Sequence, residues 1–127
     1  VIMGTGIDLV ELKRIEKILS RQEADFVRRI LTPGEQKLIP GVQARKVEFL
    51  AGRFAAKEAC AKALGTGLGK VLSFQDIQVL RENTGRPILQ VSSSVLEAVF
   101  GTSACMVHVS ISHSKEYAIS QVIVEKQ

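Results

Sequence analysis

Val47-Glu-Phe-Leu-Ala-Gly-Arg-Phe-Ala-Ala-Lys-Glu-Ala-Cys-Ala-Lys-Ala-Leu64 is the longest stretch of helical period in this chain of 127 residues. Val47, Leu50, Phe54 and Ala61 recur along one face at helical spacing, and Ala is abundant between them. The pattern predicts a long helix over Val42 to Leu64, ended by Gly65 as its C-terminal cap. Glu58 interrupts the apolar face, four residues after Phe54 and three before Ala61. A carboxylate turned toward a core needs a partner, because an unpaired buried charge is very costly. Lys62, one turn on, supplies the common helical ion pair. A metal ion shared with a second carboxylate is the alternative, and the residues alone leave both open.

The flanking segments read as strands and shorter helices. Ile2 to Leu9 predicts a strand ending near Asp8, with Gly4 and Gly6 allowing another backbone to approach closely. From Glu11 the period is helical, with Leu12, Ile15 and Leu19 on one face, and a second short helix is expected over Glu23 to Leu31. Thr32-Pro-Gly-Glu35 is a helix start in which Thr32 caps, Pro33 fits the first turn and Glu35 closes a capping box; that helix should end before Pro40-Gly41.

On the other side of the long helix, Ser73 to Arg81 alternates as a strand, Asn83-Thr-Gly85 turns, and Pro87 to Val91 returns. Ser92 to Phe100 predicts a serine-capped helix. Cys105 to Ser112 and Tyr117 to Glu125 predict a final hairpin that turns at His113-Ser114-Lys115. The expected architecture is a single domain over residues 1–127 of α+β class, a mainly antiparallel sheet packed on one long helix with shorter helices.

Composition narrows the possible functions. A net charge of +4 favours acidic partners such as phosphorylated ligands or an acidic protein. Five Phe, one Tyr and no Trp give little stacking surface for single-stranded nucleic acid. No apolar run has the length of a membrane span, and Val1-Ile-Met-Gly lacks the pattern of an export signal, so a cytoplasmic protein with no membrane role is expected. Cys60 and Cys105 stand in apolar surroundings without metal or redox spacing and are expected to be reduced thiols.

The residues that can carry chemistry are few. Asp8 ends an apolar strand; it is either the N-cap of the following helix or a ligand for a hard cation, which takes one or two carboxylates and completes its shell with water and phosphates. Gly65-Thr-Gly-Leu-Gly69 follows a helix rather than preceding one, so it is not a nucleotide-binding glycine loop, although Lys57, Lys62 and Lys70 surround it. His113 closes the strand face of Val107, Val109 and Ile111, where a structural role competes with ligand binding. Arg14, Lys17, Arg21 and Arg28 recur near helical spacing, either as a solvated face or as a docking surface for an acidic helix. From composition alone an enzyme, a nucleotide- or RNA-binding module and an oligomer-forming structural domain stand level.

The order of the motifs separates them. Gly6-Ile-Asp-Leu-Val-Glu-Leu-Lys-Arg14 resembles the first motif of the 4'-phosphopantetheinyl transferases, and Phe54-Ala-Ala-Lys-Glu-Ala-Cys-Ala-Lys-Ala63 resembles their central signature. Gly85-Arg-Pro87 and Val109-Ser-Ile-Ser-His113 resemble further blocks, in the family's order and over almost the whole chain. The short length resembles the subtype that acts on acyl carrier protein. The signature opens with Phe54 where many relatives have Trp, and the likeness is looser at Arg45 and in the Gly65–Gly69 loop.

The resemblance implies transfer of phosphopantetheine from coenzyme A to a serine of apo-acyl carrier protein, releasing adenosine 3',5'-bisphosphate, in support of fatty acid biosynthesis. It implies Mg²⁺ held by Asp8 and Glu58, with Lys62 at the pyrophosphate and Glu58 or a water at the metal taking the serine proton. It implies coenzyme A contacts from Arg53, Lys57, Lys62, Gly65, Pro87 and His113, and docking of the acidic carrier protein on Arg14 and Arg21. A homotrimer with active sites between subunits is implied as well. No nucleophile is needed in this chain, which agrees with the lack of a strand–turn–helix serine motif.

Overall fold

A computed structural model describes all residues from Val1 to Gln127. Ile2–Glu11 forms β1, Leu12–Ile30 α1, Pro33–Gln36 α2, Gln43–Leu64 α3, Ile77–Arg81 β2, Pro87–Val91 β3, Ser93–Phe100 α4, Cys105–His113 β4 and Tyr117–Lys126 β5. The strands make two antiparallel sheets, one of order β1-β5-β4 and one of β2-β3. In the larger, Asp8 lies opposite Ser120 and Gly6 opposite Val122; in the smaller, Arg81 lies opposite Pro87. The α+β class is as expected, with the antiparallel strands divided between two sheets.

α3 runs through the middle of the molecule. Fourteen of its 22 residues are buried, on every side, so it is a central helix rather than a one-faced surface helix. Its first half packs with Ile15, Leu19 and Ile30 of α1 and with Val10 and Ala118. Its second half packs with Leu72, Ile77, Val79, Leu89, Val95 and the inward face of β5. The alanines of its sequence serve this position, since small side chains let elements close in around the helix. Gly65 ends it in the left-handed region (φ 76°), its N–H bonded to Ala61 O and Lys62 O.

The closest of these approaches is against β1. A Cβ placed on Gly4 would lie 1.9 Å from Ala63 O, and one on Gly6 2.0 Å from Ala59 O. Only hydrogen fits at either position, so the two glycines set how near the strand comes to the helix.

A buried ion pair ties the remaining elements to α3. Lys57 Nζ donates to Glu35 Oε1 at 2.6 Å, Ile30 O at 2.6 Å and Phe74 O at 3.0 Å, which uses all three protons of the ammonium. Both side chains are 0 % exposed. Glu35 also accepts from Thr32 N–H and Val79 N–H, both at 2.8 Å, while Thr32 Oγ1 accepts from Glu35 N–H. The predicted capping box is therefore present, with its glutamate serving also as the counter-ion of Lys57. Burial pulls the Lys57 ammonium below the usual lysine range, and Glu35 opposes this. Lys57 was expected to contact coenzyme A phosphates; with no exposed surface and no free donor it is a structural residue instead.

Several boundaries differ from expectation for local reasons. The first two predicted helices are one element, α1, kinked at Gln22 (φ −154°, ψ 51°). α2 is a single turn. The predicted strand from Ser73 begins only at Ile77, because Ser73 and Asp76 form a reciprocal cap around one 3-10 turn at Phe74–Asp76. Asp8 is not the cap of α1, since β1 continues to Glu11, which occupies that position without a side-chain bond.

Two stability outcomes follow. Gly6→Ala forces a Cβ into Ala59 O and should cost about 1–3 kcal/mol or more, whereas Gly69→Ala, with open space at its Cβ, should stay within ~0.5 kcal/mol; thermal unfolding of both distinguishes them. Lys57→Met leaves the Glu35 carboxylate buried without its counter-ion and should cost roughly 3–5 kcal/mol in denaturant unfolding. A loss under ~1 kcal/mol would mean the pair is not the tie it looks to be.

Candidate active site

The close packing of β1 on α3 places Asp8 beside Glu58 and Lys62. The strand alternates, so Asp8 points to the same side as Gly4 and Gly6, toward the helix. Lys62 Nζ donates to Asp8 Oδ1 at 3.1 Å and to Ile7 O at 2.9 Å. Lys62 thus reaches across to the strand and makes no ion pair with Glu58, so the helical pairing weighed from the sequence is not formed. The Asp8 side chain is 16 % exposed and that of Lys62 55 % exposed.

Glu58 is half-buried and has no hydrogen-bond partner in the protein. Its carboxyl is pushed above the usual range, first by burial and then by the negative charge of Asp8; Lys62 and Arg14 pull the other way. The Glu58 carboxylate, in the field of Asp8 and without a donor of its own, forms with Asp8 an all-oxygen pair suited to a hard divalent cation. The other residues of the site are cations rather than further ligands.

Glu58 also lines a pocket of about 340 Å³. The pocket is bounded by Ile18 and Phe26 of α1, Phe54 of α3, Leu68 and Phe74, with Arg14 and Arg29 on its rim. Phe54 stands between Phe26 and Phe74, with ring centroids 6.0 and 5.9 Å apart. The Arg14 guanidinium lies 5.5 Å from the Phe54 ring and that of Arg29 5.9 Å from the Phe74 ring. The apolar stripe that made Glu58 look misplaced ends at this opening, so Glu58 faces a pocket and not the core.

The other expected site residues are dispersed. Gly65 sits at the end of α3, beyond Lys62. Arg14 is at the pocket rim, and Arg21 is exposed two turns further along α1. Arg53 is 7 % exposed and faces β2: its guanidinium stacks 4.1 Å from the Phe49 ring, Nη2 donates to Val79 O at 3.4 Å, and Nε has no partner. Burial brings its pKa down to about 10, against Glu35 and with Arg81. His113 Nε2 lies over Gly52 and bonds Glu48 O at 3.0 Å, and Glu48 is ten residues and about 15 Å of helix before Glu58. Pro87 is at the turn end of the β2-β3 hairpin, opposite Arg81. Within one chain, Arg53, Pro87 and His113 do not join Asp8 and Glu58.

The pocket itself was missed from the sequence. Phe26, Leu68 and Phe74 come from three segments and signal nothing singly. The helical spacing of Arg14, Ile18 and Arg21, basic and apolar on one face of α1, was its only trace.

Comparison with known proteins identifies the family. Residues 4–122 match the 4'-phosphopantetheinyl transferase superfamily. The chain is 52% identical over 126 residues to a holo-[acyl-carrier-protein] synthase of Geobacillus sp. (strain WCH70), covering 98% of both. It superposes with a TM-score of 0.85, at 48% identity over 99% of this chain and 98% of the other, on a holo-(acyl-carrier-protein) synthase from Bacillus anthracis in complex with CoA (3',5'-ADP). The Helicobacter pylori holo-[acyl-carrier-protein] synthase in complex with coenzyme A gives a TM-score of 0.83 at 37% identity, covering 95% of this chain and 99% of that one. With matching motifs, fold and near-complete coverage, the chain belongs to the 4'-phosphopantetheinyl transferase superfamily, as an enzyme of its holo-[acyl-carrier-protein] synthase group.

Proposed function

We propose that this protein transfers 4'-phosphopantetheine from coenzyme A to a serine of apo-acyl carrier protein with the help of Mg²⁺, as one cytoplasmic catalytic domain that supplies holo-carrier protein for fatty acid biosynthesis. The observation that carries this reading is the Asp8–Glu58–Lys62 group: two facing carboxylates and a lysine at the edge of an open pocket, in a chain of this family.

The carrier serine Oγ attacks the β-phosphorus of coenzyme A. A new O–P bond forms as the bond from that phosphorus to the bridging oxygen breaks, and adenosine 3',5'-bisphosphate leaves with the electron pair. Glu58 or a water beside it takes the serine proton, and the lack of a donor to Glu58 and its raised pKa support Glu58 in this role. Lys62 supplies positive charge toward the pyrophosphate oxygens, and Ile7 O and Asp8 hold its ammonium in place. Asp8 and Glu58 would hold Mg²⁺, which when bound neutralises charge on the pyrophosphate.

The pocket rim suits the acidic partner. Arg14, Ile18 and Arg21 share a face of α1, so an acidic helix laid along it would meet arginines on either side of an apolar hole floored by Phe26 and Phe54. Assembly as a homotrimer is supported by the outward face of β1-β5-β4. There Ile7, Leu9, Met106, Tyr117 and Ile119 are exposed at alternate positions. Such assembly would also account for the separation of Arg53, Pro87 and His113 from Asp8, since a neighbouring subunit can bring its copies of them to coenzyme A.

Mass spectrometry of apo-acyl carrier protein incubated with this protein, coenzyme A and Mg²⁺ should show one phosphopantetheine added to one serine, and EDTA should stop the addition. No addition with any divalent ion would defeat the reading. Glu58→Gln should lose turnover by about 10²-fold or more while coenzyme A still binds. A raised folded-state pKa means the fold is helped below the unfolded carboxylate value and loses that help as pH rises through the folded one. The metal-free Glu58→Gln protein should therefore unfold no earlier than wild type at neutral pH. Cation binding must displace the Glu58 proton at mildly acidic pH, so affinity should fall as pH is lowered, with proton release that Glu58→Gln abolishes. Calorimetry in buffers of different ionisation enthalpy reads that release, and an unchanged value in the variant would remove Glu58 from the cation site.

A further inference from the structure

The break in α1 at Gln22 means that its two halves are placed by different contacts. The half before the kink carries Arg14, Ile18 and Arg21, and Ile15 and Leu19 bury its inner face. The half after it carries Arg28 and Arg29 and ends without a glycine cap, Leu31 leaving it in extended backbone (φ −109°, ψ 140°). The last four carbonyls of a helix find no partner within it. Here Val27 O accepts from Leu31 N–H and Ile30 O from Lys57 Nζ, while Arg28 O and Arg29 O both accept from one side chain, that of Gln75.

Gln75 is exposed and stands in the 3-10 turn at Phe74–Asp76. Its Nε2 donates to Arg28 O, Arg29 O and Leu31 O at 3.1, 3.3 and 2.9 Å, two protons shared among three acceptors. The turn that carries it is fixed on both sides. Phe74 O accepts from Lys57 Nζ, Asp76 Oδ2 accepts from Ser73 N–H at 2.9 Å, and Asp76 O accepts from Ser92 N–H at 2.9 Å. Gln75 is therefore a strut from an anchored turn to the end of α1. Its neighbour Phe74 receives the Arg29 guanidinium 5.9 Å from its ring centroid. Adjacent residues of one turn thus hold both the backbone and the side chain of Arg29.

We infer that Gln75 is a positioning residue of the carrier-protein site, holding the end of α1 so that Arg29 stands across the pocket mouth from Arg14. The inference rests on the acidic carrier protein docking along α1. Arg14 comes from before the kink and Arg29 from after it, and both line the pocket that Glu58 faces. An acidic helix presents its carboxylates at fixed intervals, so the spacing of the arginines that meet it matters. The kink removes continuous helix as the means of fixing that spacing. The ion pair of Lys46 with Glu23 at 3.2 Å ties down the start of the second half, and Gln75 ties down the turn at Arg28 and Arg29. Gln75 does not line the pocket that Glu58 faces and acts through the helix.

Gln75→Leu removes the amide at comparable size, and Gln75→Ala removes the whole strut. Both variants should fold, because water can reach the carbonyls they free. Hydrogen exchange at the amides of Arg28 to Leu31 should quicken about threefold or more. Calorimetric titration with apo-acyl carrier protein should show binding weakened about three- to tenfold, with coenzyme A binding within about twofold of wild type and kcat at saturating carrier protein unchanged. Arg29→Ala should weaken carrier binding by itself, and Gln75→Leu added to it should weaken binding no further. Added to Arg14→Ala, Gln75→Leu should keep its full effect. Unchanged carrier binding in Gln75→Leu or in Arg29→Ala, a loss of coenzyme A affinity in Gln75→Leu, or equal losses in the two backgrounds would overturn the inference. Binding is read without turnover, so a wild-type protein that binds carrier protein yet transfers nothing fails the proposed function and not this one, and one that does not bind it fails both.

Discussion

The contact on which the site depends is the one between β1, bare of side chains at Gly4 and Gly6, and a helix with small ones at Ala59 and Ala63. Gly4 and Gly6 let β1 lie against the backbone of α3 at Ala59 and Ala63, closer than any Cβ would permit. That distance brings Asp8 within reach of Lys62 and within the field of Glu58. Were the strand held off by one methyl group, the same three residues would be present but apart. The glycines thus act through spacing, a role usually credited to catalytic side chains in their own right.

Adjacent positions on α3 have opposite fates, because each step along a helix turns the side chain by about 100°. Lys57 is directed into the core, where Glu35, Ile30 O and Phe74 O satisfy every proton of its ammonium. Its neighbour Glu58 is directed into the pocket, where nothing in the protein satisfies it. Each charge has a cost of burial, and only one is offset internally. The Lys57 pair holds α1, α2 and the turn at Phe74 around the helix, and α1 and that turn are among the walls of the pocket Glu58 faces. The free carboxylate is kept in place by the paired lysine beside it. Cys60, on the same helix, is simply core: burial pushes its thiol up to about 12, which leaves no reactive thiolate.

Much of the fold was legible because its signals are local. The period of α3, its glycine cap, the Thr32–Glu35 capping box and the alternation in the last two strands each depend on residues a few positions apart. The misread boundaries were competitions between local options: the Ser73–Asp76 cap converts the start of a strand into a turn, and β1 runs past Asp8 because its ladder with β5 continues to Tyr117. Glu58 stood out because it breaks an apolar stripe, although the sequence pointed it at the core and the structure opens a pocket there. Asp8 was ambiguous because a cap and a ligand use the same residue type at the same place. Lys57 was misassigned because charge in a signature motif reads alike whether it meets a phosphate or a buried glutamate.

By itself the sequence determined the central helix, the strand hairpins and the family, and it made Asp8 and Glu58 candidates, since motif order and helical period are properties of the linear chain. Only the tertiary structure decided which charges are partnered. It took Lys57 out of the site, gave Lys62 to Asp8 instead of Glu58, and set Arg53, Pro87 and His113 apart from the carboxylates. It also assembled the aromatic pocket from Phe26, Phe54 and Phe74. The physical reason is that burial and pairing depend on distances between residues tens of positions apart, and here those distances were set by two missing Cβ atoms and one buried ion pair.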